Sequence, residues 1–403
     1  MIKKVISAIR NGTFLERVIG KIKLFFINRF KKIVTKNIEI KNNRIMFLTF
    51  QGDYTCNQKA ICEELISRNE EFELYWAVGK DNLKKKNNFP KNVKLIRKDS
   101  LEFYKIAASC KFFIENANNF CYLGIEKKPD QILIQTWHGS MGFKKIDDGS
   151  VKNSNWVKKA IRMGELTDYC IVNSDFEIDV FKNSYWKKTP MLKFGHARND
   201  CLFNRNDEFN IYRKKVNKMY GIDDDTKILL YAPTFRDNCT LESYKMDYDK
   251  LIKALEKRFG GKWCILLRLH YKLKYANIPK KYFDKVINAT NYPDMQELLC
   301  AVDIGITDYS SWMCDFVLTK KPGFLFTLDI DKYVDERGFY YPLESSPFPV
   351  CKSNKELVNN ILNFDEKKYK KDVTAFLKKM GCFEDGEASV KIVDKIIKLS
   401  NKK

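Results

Sequence analysis

The sequence predicts an α/β protein: two doubly wound, Rossmann-like domains facing each other across a cleft, preceded by a basic amphipathic helical segment. Three observations carry that expectation. From Arg44 onward, short apolar runs alternate with amphipathic stretches of helical period, the pattern of parallel strands covered on both faces by helices. The alternation pauses at the polar stretch "CLFNRNDEFN", Cys201 to Asn210, and then restarts over a similar length. The first forty residues hold ten Lys or Arg against two Glu, interleaved with apolar residues. The expected divisions are residues 1–40, 41–205, 206–375 and 376–403, the last a helix packing back on the body.

The N-terminal stretch "MIKKVISAIRNGTFLERVIGKIKLFFINRFKKIVTKN" resembles a secretory signal only at first sight. Its longest unbroken apolar run is "LFFI", too short for a signal core or a membrane span. Ile2, Val5, Ile6 and Ile9, then Phe14, Leu15, Val18, Ile19, Ile22, Phe25 and Phe26, recur at helical spacing. Such a helix lies in an anionic headgroup region, apolar burial and charge attraction adding; the competing arrangement docks it on the protein's own core. "RIMFLTF", "FELYWAVG", "VKLIRKD", "KFFIEN", "QILIQTW" and "DYCIVNS" follow as strands, with helices at "NQKAICEELISRN", "SLEFYKIAASC" and "FEIDVFKNSYW". After the pause, "KILLYAPTF", "KWCILLRLH", "KVINAT", "DIGITDYSS" and "PGFLFTL" read as strands. "YDKLIKALEKRF", "DMQELLCAV" and "WMCDFVLTK" read as helices, and the Lys-rich tail from Glu366 is largely helical.

At 403 residues, with 44% hydrophobic content, the chain is long enough for two ordinary domains and able to bury a core. Its 73 basic and 51 acidic residues leave a net charge of +22, which suits a polyanionic partner: nucleic acid, an anionic membrane or a phosphate-rich substrate. No helix-turn-helix, RRM, KH or zinc-finger signature is present, and the aromatics fall in core-like strands, so nucleic acid is set aside. Twelve cysteines lie dispersed, without a CxxC pair or zinc spacing, as expected for reduced, mostly buried thiols. No cofactor motif and no metal-ligand cluster is legible; a divalent cation is compatible with the sequence but unsupported by it, since Asp308 and Asp315 read equally well as capping and orienting groups.

Only three histidines occur. His138 follows the strand "QILIQTW", His270 ends "WCILLRLH", and His196 lies in "GHARND". Ligands of open α/β sheets sit at the carboxyl ends of strands, and histidine exchanges protons near neutral pH, so all three are expected at the cleft. Groups suited to anions surround them: Lys144 and Lys145 after Gly139 and Gly142, Arg268 before His270, and Arg236 in "APTFRD". "TDYSS", Thr307 to Ser311, opens a helix after a strand, a seat for phosphate or a plain N-cap.

In order, "QTWHGSMGFKK", "GHARNDCLF", "YAPTFRD", "RLH", "DIGITDYSSWMCDFVLTKKP", "DKYVDERGFY" and "FEDGEAS" resemble the motifs of the CDP-glycerol glycerophosphotransferase family. These enzymes prime and polymerise teichoic acids and related capsular poly(polyol phosphates) at the bacterial cytoplasmic membrane. "FLTFQGDYTCNQKAICEEL" resembles the start of that family's N-terminal domain, so the likeness runs from about Arg44 to Ile397. It implies a GT-B-like fold, with residues 41–205 on the acceptor side and 206–375 binding a CDP-activated donor. It also implies transfer of a polyol phosphate to a lipid-linked acceptor or growing chain, by a peripheral enzyme on the cytoplasmic membrane face.

By this resemblance His138 is the general base and His270, with Arg268, holds the pyrophosphate. Ser310 and Ser311, with Asp315 one turn on, match the donor-binding segment, together with Thr307, Asp308 and Tyr309. Thr234 and Phe235, beside Arg236 and Asp237, match residues near the cytidine or phosphates, and Arg198 matches the family's "G-x-x-R-x-D" arginine. The loop Trp137, Gly139, Ser140, Met141, Gly142, Lys144 and Lys145, and Arg337 of "DKYVDERGFY", complete the implied substrate contacts.

The chain departs from the family pattern at three places. Ser140, Met141 and Gly142 replace a shorter Thr-Pro loop, Tyr271 stands where Pro is frequent after "R-x-H", and Ala197 replaces a frequent Pro. None removes a titratable group, so they bear on specificity rather than on the chemistry. CDP-ribitol as donor in the same fold and a nucleotide-sugar GT-B glycosyltransferase are the competing readings.

Overall fold

The computed structural model describes residues 14–50, 52–146, 155–234, 246–269, 285–330 and 338–401. Two parallel sheets form two lobes. In the first lobe the strands are β1 (Lys41–Leu48), β2 (Glu73–Val78), β3 (Val93–Arg97), β4 (Cys110–Glu115), β5 (Ile132–Gln135), β6 (Tyr169–Val172) and β7 (Met191–Lys193). They lie in the order β3-β2-β1-β4-β5-β6-β7. In the second lobe they are β8 (Thr226–Tyr231), β9 (Lys262–Leu267), β10 (Val286–Asn288), β11 (Ile304–Thr307), β12 (Gly323–Phe326) and β13 (Val350–Cys351), ordered β10-β9-β8-β11-β12-β13. Each sheet reverses its winding once, between β1 and β4 and between β8 and β11, as in Rossmann-like folds, which places ligand crevices outside those carboxyl ends.

The local causes are ordinary. The central strands are buried from both sides, Ile45 to Leu48 and Ile228 to Tyr231 being almost wholly enclosed, so they read as continuous apolar runs rather than alternating ones. Ser100, Ser174, Asp294, Ser353 and Asp365 accept hydrogen bonds from the first-turn amides of the helices they precede, satisfying donors that the helix itself leaves open.

Two boundaries differ from the sequence expectation. "WMCDFVLTK" forms only the short helix Trp312–Phe316 and a 3-10 turn, Val317–Thr319, because Trp312, Met313, Phe316 and Val317 all bury into one core and the backbone tightens to follow them. Residue 375 falls inside the helix Glu366–Lys379, whose Tyr369, Val373 and Phe376 belong to the second-lobe core together with Met380. The chain therefore leaves that lobe after Met380. The last helix, Ala388–Ser400, buries Ile392, Val393, Ile396 and Leu399 against Ile61 and Leu65 of the first lobe.

The helix Phe14–Lys36 precedes β1. Val18, Ile19, Ile22, Phe25, Phe26, Phe30 and Ile33 are exposed, Phe25 and Phe26 by 63% each. It meets the body near its C-terminal end, with the Lys31 ammonium 3.9 Å from the Tyr104 ring centroid. Residues 2–9 of the amphipathic pattern lie outside the described residues. No described helix is long and apolar enough to cross a membrane.

Candidate active site

β5 ends at Gln135, and the chain then turns abruptly. Trp137 has φ +50°, a left-handed conformation rare for a bulky residue and sustained only where the surroundings over-determine it. They do so here. The Trp137 amide donates to Gln135 Oε1 at 2.8 Å, and Asn57 Nδ2 donates to the carbonyls of Thr136 and Trp137 at 3.4 and 3.3 Å. The indole packs edge-on against Trp186, with centroids 5.2 Å apart.

The turn delivers His138, its ring 4.4 Å from that of Trp137, into the open side of the site. Its Nδ1 faces the carbonyl oxygen of Asn116, just beyond β4. A carbonyl only accepts, so Nδ1 carries the proton and Nε2 of the neutral ring is left as an acceptor. Among the described residues Nε2 has no partner. The ring is solvent-exposed yet surrounded by the mass of the molecule. Burial lowers its pKa, the Asn116 carbonyl opposes this, and the charges of Arg198 and Lys144 lower it further. A neutral imidazole at neutral pH follows.

The loop after His138 crosses to the other lobe. Met141 is fully buried and, with Phe143, lies in the second-lobe core. The Met141 carbonyl accepts from the Tyr341 hydroxyl and from Cys314 Sγ. Gly142 passes so close to Ser311 that a Cβ there would sit 3.0 Å from the serine Cβ, which accounts for glycine at that position. Lys144 forms an antiparallel bridge with Phe339, and the Lys145 amide donates to Gly338. Ser140 stays on the first-lobe side, its Oγ accepting from Asn173 Nδ2 at 2.7 Å.

Two charged clasps join the lobes beside this loop. Arg198, after β7, donates through Nε and Nη2 to Asp315 at 3.0 and 3.2 Å, and through Nη2 to the Gly139 carbonyl. Burial works against its charge, but Asp315 more than restores it and the net shift is upward. Asp315 also accepts from Asn199 and Gln296. Lys59 contacts Asp294 and Glu297 at 2.9 and 2.7 Å. All these groups follow carboxyl ends of strands, so the ligand-binding edges of the two sheets meet.

The second-lobe residues gather at the β8/β11 switch. Asp308 accepts from the Thr234 amide at 2.8 Å and from the Tyr309 amide, while Thr307 Oγ1 donates to the Ala232 carbonyl. Tyr309 is buried and its hydroxyl donates to Asp329. Ser310 and Ser311 remain half-buried, and Ser311 makes no side-chain capping bond. Arg268, one residue past β9, is half-buried and its guanidinium contacts Met295 Sδ at 3.0 Å. Burial lowers its pKa, with Asp294 opposing; a desolvated cation of this kind gains most from an incoming anion.

The structure thus brings Gly142, four residues after His138, against Ser311 at the second-lobe switch point. It turns Met141, Tyr309, Arg198 and Asp315 inward, where they hold the site together rather than face a ligand. His196 also differs from expectation: it is wholly buried, with Nε2 3.0 Å from Glu177, because the Glu177 carboxylate in its enclosed pocket needs that donor. His270, Phe235, Arg236, Asp237 and Arg337 lie outside the described residues. Sequence reading missed Asn57, Asn116, Asn173 and Asn199, whose amides have no distinguishing pattern, although Asn57 and Asn199 sit inside family-like motifs. Among the described residues no group of His, Cys, Asp and Glu is arranged to hold a metal.

The profile of the CDP-glycerol:poly(glycerophosphate) glycerophosphotransferase family matches residues 29–398. The chain is 29% identical over 407 residues to the teichoic acid poly(glycerol phosphate) polymerase of Bacillus subtilis strain 168, covering 95% of this chain but 54% of that protein, about half its length. It is 30% identical over 373 residues to the teichoic acid glycerol-phosphate transferase of Staphylococcus aureus strain NCTC 8325 / PS 47, covering 88% and 93%. Among solved structures, a histidine-to-asparagine variant of the wall teichoic acid polymerase TagF soaked with CDPG superposes with a TM-score of 0.81 at 29% identity, covering 93% of each chain. With its paired Rossmann-like lobes and the motifs around His138 in place, this chain belongs to the CDP-glycerol:poly(glycerophosphate) glycerophosphotransferase family.

Proposed function

We propose that this protein transfers glycerol phosphate from CDP-glycerol to a terminal hydroxyl of a lipid-linked acceptor or growing poly(glycerol phosphate) chain at a membrane surface, releasing CMP. The observation that carries this reading is the His138 ring: Nδ1 is tied to the Asn116 carbonyl, no described residue bonds Nε2, and a depressed pKa keeps the ring neutral. That is a base poised for an alcohol proton. Nε2 takes the proton as the hydroxyl oxygen attacks the donor's β-phosphorus. The bond from that phosphorus to the bridging oxygen breaks, the electron pair leaves with CMP, and the imidazolium returns its proton to solvent. Phosphoryl transfer demands alignment and charge stabilisation above all. Arg268 is the described cation suited to the diphosphate, with His270 assigned beside it by the family motif, and Ser310 and Ser311 at the switch point offer hydroxyls.

The basic surplus and the Phe14–Lys36 helix support a membrane-bound acceptor. The exposed Ile22, Phe25, Phe26 and Ile33 share that helix with Lys21, Lys23, Arg29, Lys32 and Lys36, a composition suited to an anionic bilayer surface. The test follows CMP release from CDP-glycerol and from CDP-ribitol, each with a lipid-linked acceptor. A donor labelled in the β-phosphate puts its label in the product, which a glycosyl transfer does not. His138→Ala is expected to lower turnover by about 10²–10⁴-fold, and near-normal turnover removes His138 from the role of base.

A further inference from the structure

The terminal motif "FEDGEAS" has no part in the reaction above, yet its glutamate reaches the active-site loop. Beyond Met380 the chain turns at Gly381 and runs along the end of β6. Ser174 and Cys382 form an antiparallel bridge, and the Phe383 amide donates to the Asn173 carbonyl at 3.0 Å. This course brings Glu384 beneath the residues that follow His138. Glu384 Oε1 accepts from Asn199 Nδ2 at 2.8 Å, from Asn173 Nδ2 at 3.2 Å and from the His196 amide at 3.2 Å; Oε2 accepts from the same amide at 3.1 Å.

Both asparagines lead back to the loop. Asn173 Nδ2 also donates to Ser140 Oγ. Asn199 Nδ2 also donates to Asp315, which holds the guanidinium that grips the Gly139 carbonyl. Two routes therefore run from one carboxylate to the two residues after His138. The backbone makes room for that carboxylate: at Gly195, with φ +87°, a Cβ would stand 2.6 Å from Glu384 Oε2. Docking of the tail does not need Glu384. Asp200 already binds the Ala388 and Ser389 amides and the Ser389 hydroxyl at 2.9, 2.8 and 2.6 Å, and the last helix is buried in the first-lobe core.

We infer that Glu384 is a positioning residue: acting through Asn173 and Asn199, its carboxylate fixes Ser140 and the Gly139 carbonyl, and with them the direction of the His138 ring. The C-terminal tail thereby becomes part of the transferase site. This inference rests on the proposed reaction only for its kinetic arm. The groups facing the carboxylate are His196, Asn173, Asn199 and Asp315, with Glu177 beyond His196 and Arg198 beyond Asp315. Burial pushes the Glu384 carboxyl up to about 7, and the His196 and Asn199 donors work against that. Every direct partner is a donor, so a glutamine keeps only one neutral oxygen for the two asparagines and turns its NH₂ against the His196 amide, weakening the links the carboxylate makes.

The experiment uses the full chain carrying Glu384→Gln, Ser140→Ala, both together, and Asp200→Asn as a control for tail docking. One readout is kcat and KM for CMP release. The other is the imidazole NMR spectrum, simple to assign with three histidines. Glu384→Gln is expected to lower kcat on the order of 10²-fold with little change in KM, the double variant to be no slower, and the His138 signals to move together with those of His196. Asp200→Asn is expected to leave the His138 signals in place. Unchanged kcat, additive losses, a spectral change confined to His196, or the same His138 shift in Asp200→Asn overturns the inference. Should Glu384→Gln fail to fold, Ser140→Ala leaves the carboxylate paired and must still shift His138. A wild type that releases no CMP refutes the proposed reaction, while the imidazole spectra still decide the role of Glu384.

Discussion

Replacing Asp315 with asparagine preserves size and removes one charge from the clasp between the lobes. The Asp315 carboxylate accepts two bonds from Arg198, at 3.0 and 3.2 Å, and one each from Asn199 and Gln296 at 3.1 and 3.2 Å. Asparagine offers a single acceptor oxygen and turns an NH₂ toward some of these donors. The Arg198 and Asp315 side chains are 3% and 5% exposed, so water does not compensate the stranded guanidinium. Removing one member of such a pair costs about 3–5 kcal/mol. At about 2–4 °C per kcal/mol for a lobe of this size, the expected fall in melting temperature is roughly 6–20 °C. Arg198 also grips the Gly139 carbonyl, so CMP release is expected to fall with it. Scanning calorimetry and a turnover assay on the same preparation measure both effects. The double variant Arg198→Met, Asp315→Leu is expected to regain most of the stability, because an apolar pair removes the stranded charge, yet not the activity. A single variant that melts within about 1 °C of wild type, or a double variant no more stable than the single, refutes the reasoning.

Other outcomes follow from the same geometry. As the proposed base His138 must be neutral, and burial lowers its pKa from the ordinary 6.5; the acid limb of the kcat/KM profile is therefore expected below pH 6.5, with rate rising as pH increases through it. An acid limb above that value shows that a different group is titrating. Deleting residues 1–36 is expected to release the protein from anionic vesicles in a flotation assay, since each basic residue near such a surface contributes about 1 kcal/mol, while donor binding by calorimetry stays intact. Vesicle binding that survives the deletion assigns the attachment elsewhere.

Much of the frame was legible along the chain. Parallel strands buried on both faces must be apolar throughout, so "RIMFL" and "KILLY" announce themselves without knowledge of their neighbours. The chain order of such strands, with helical segments between, makes two doubly wound sheets the expected outcome. The same reasoning located His138, because a residue directly after a buried strand emerges at the edge where such sheets bind ligands. It misplaced His196 in the cleft, since exposure depends on what packs over a position, and the Glu177 carboxylate that encloses this imidazole is not marked as its partner by any pattern.

Composition and order by themselves determined the fold class, the basic surplus, the absence of an apolar span in the N-terminal stretch, and the strand ends where a site would form. Tertiary structure alone decided which charges meet. Arg198 and Asp315, 117 residues apart, each read as a ligand contact and instead neutralise one another, because pairing of enclosed charges depends on three-dimensional proximity and leaves no local signature. Met141 likewise became a plug in the opposite lobe rather than a surface contact. The tautomer of His138 rests on one backbone carbonyl, that of Asn116, and every residue type carries such a carbonyl, so the side-chain sequence could not reveal it.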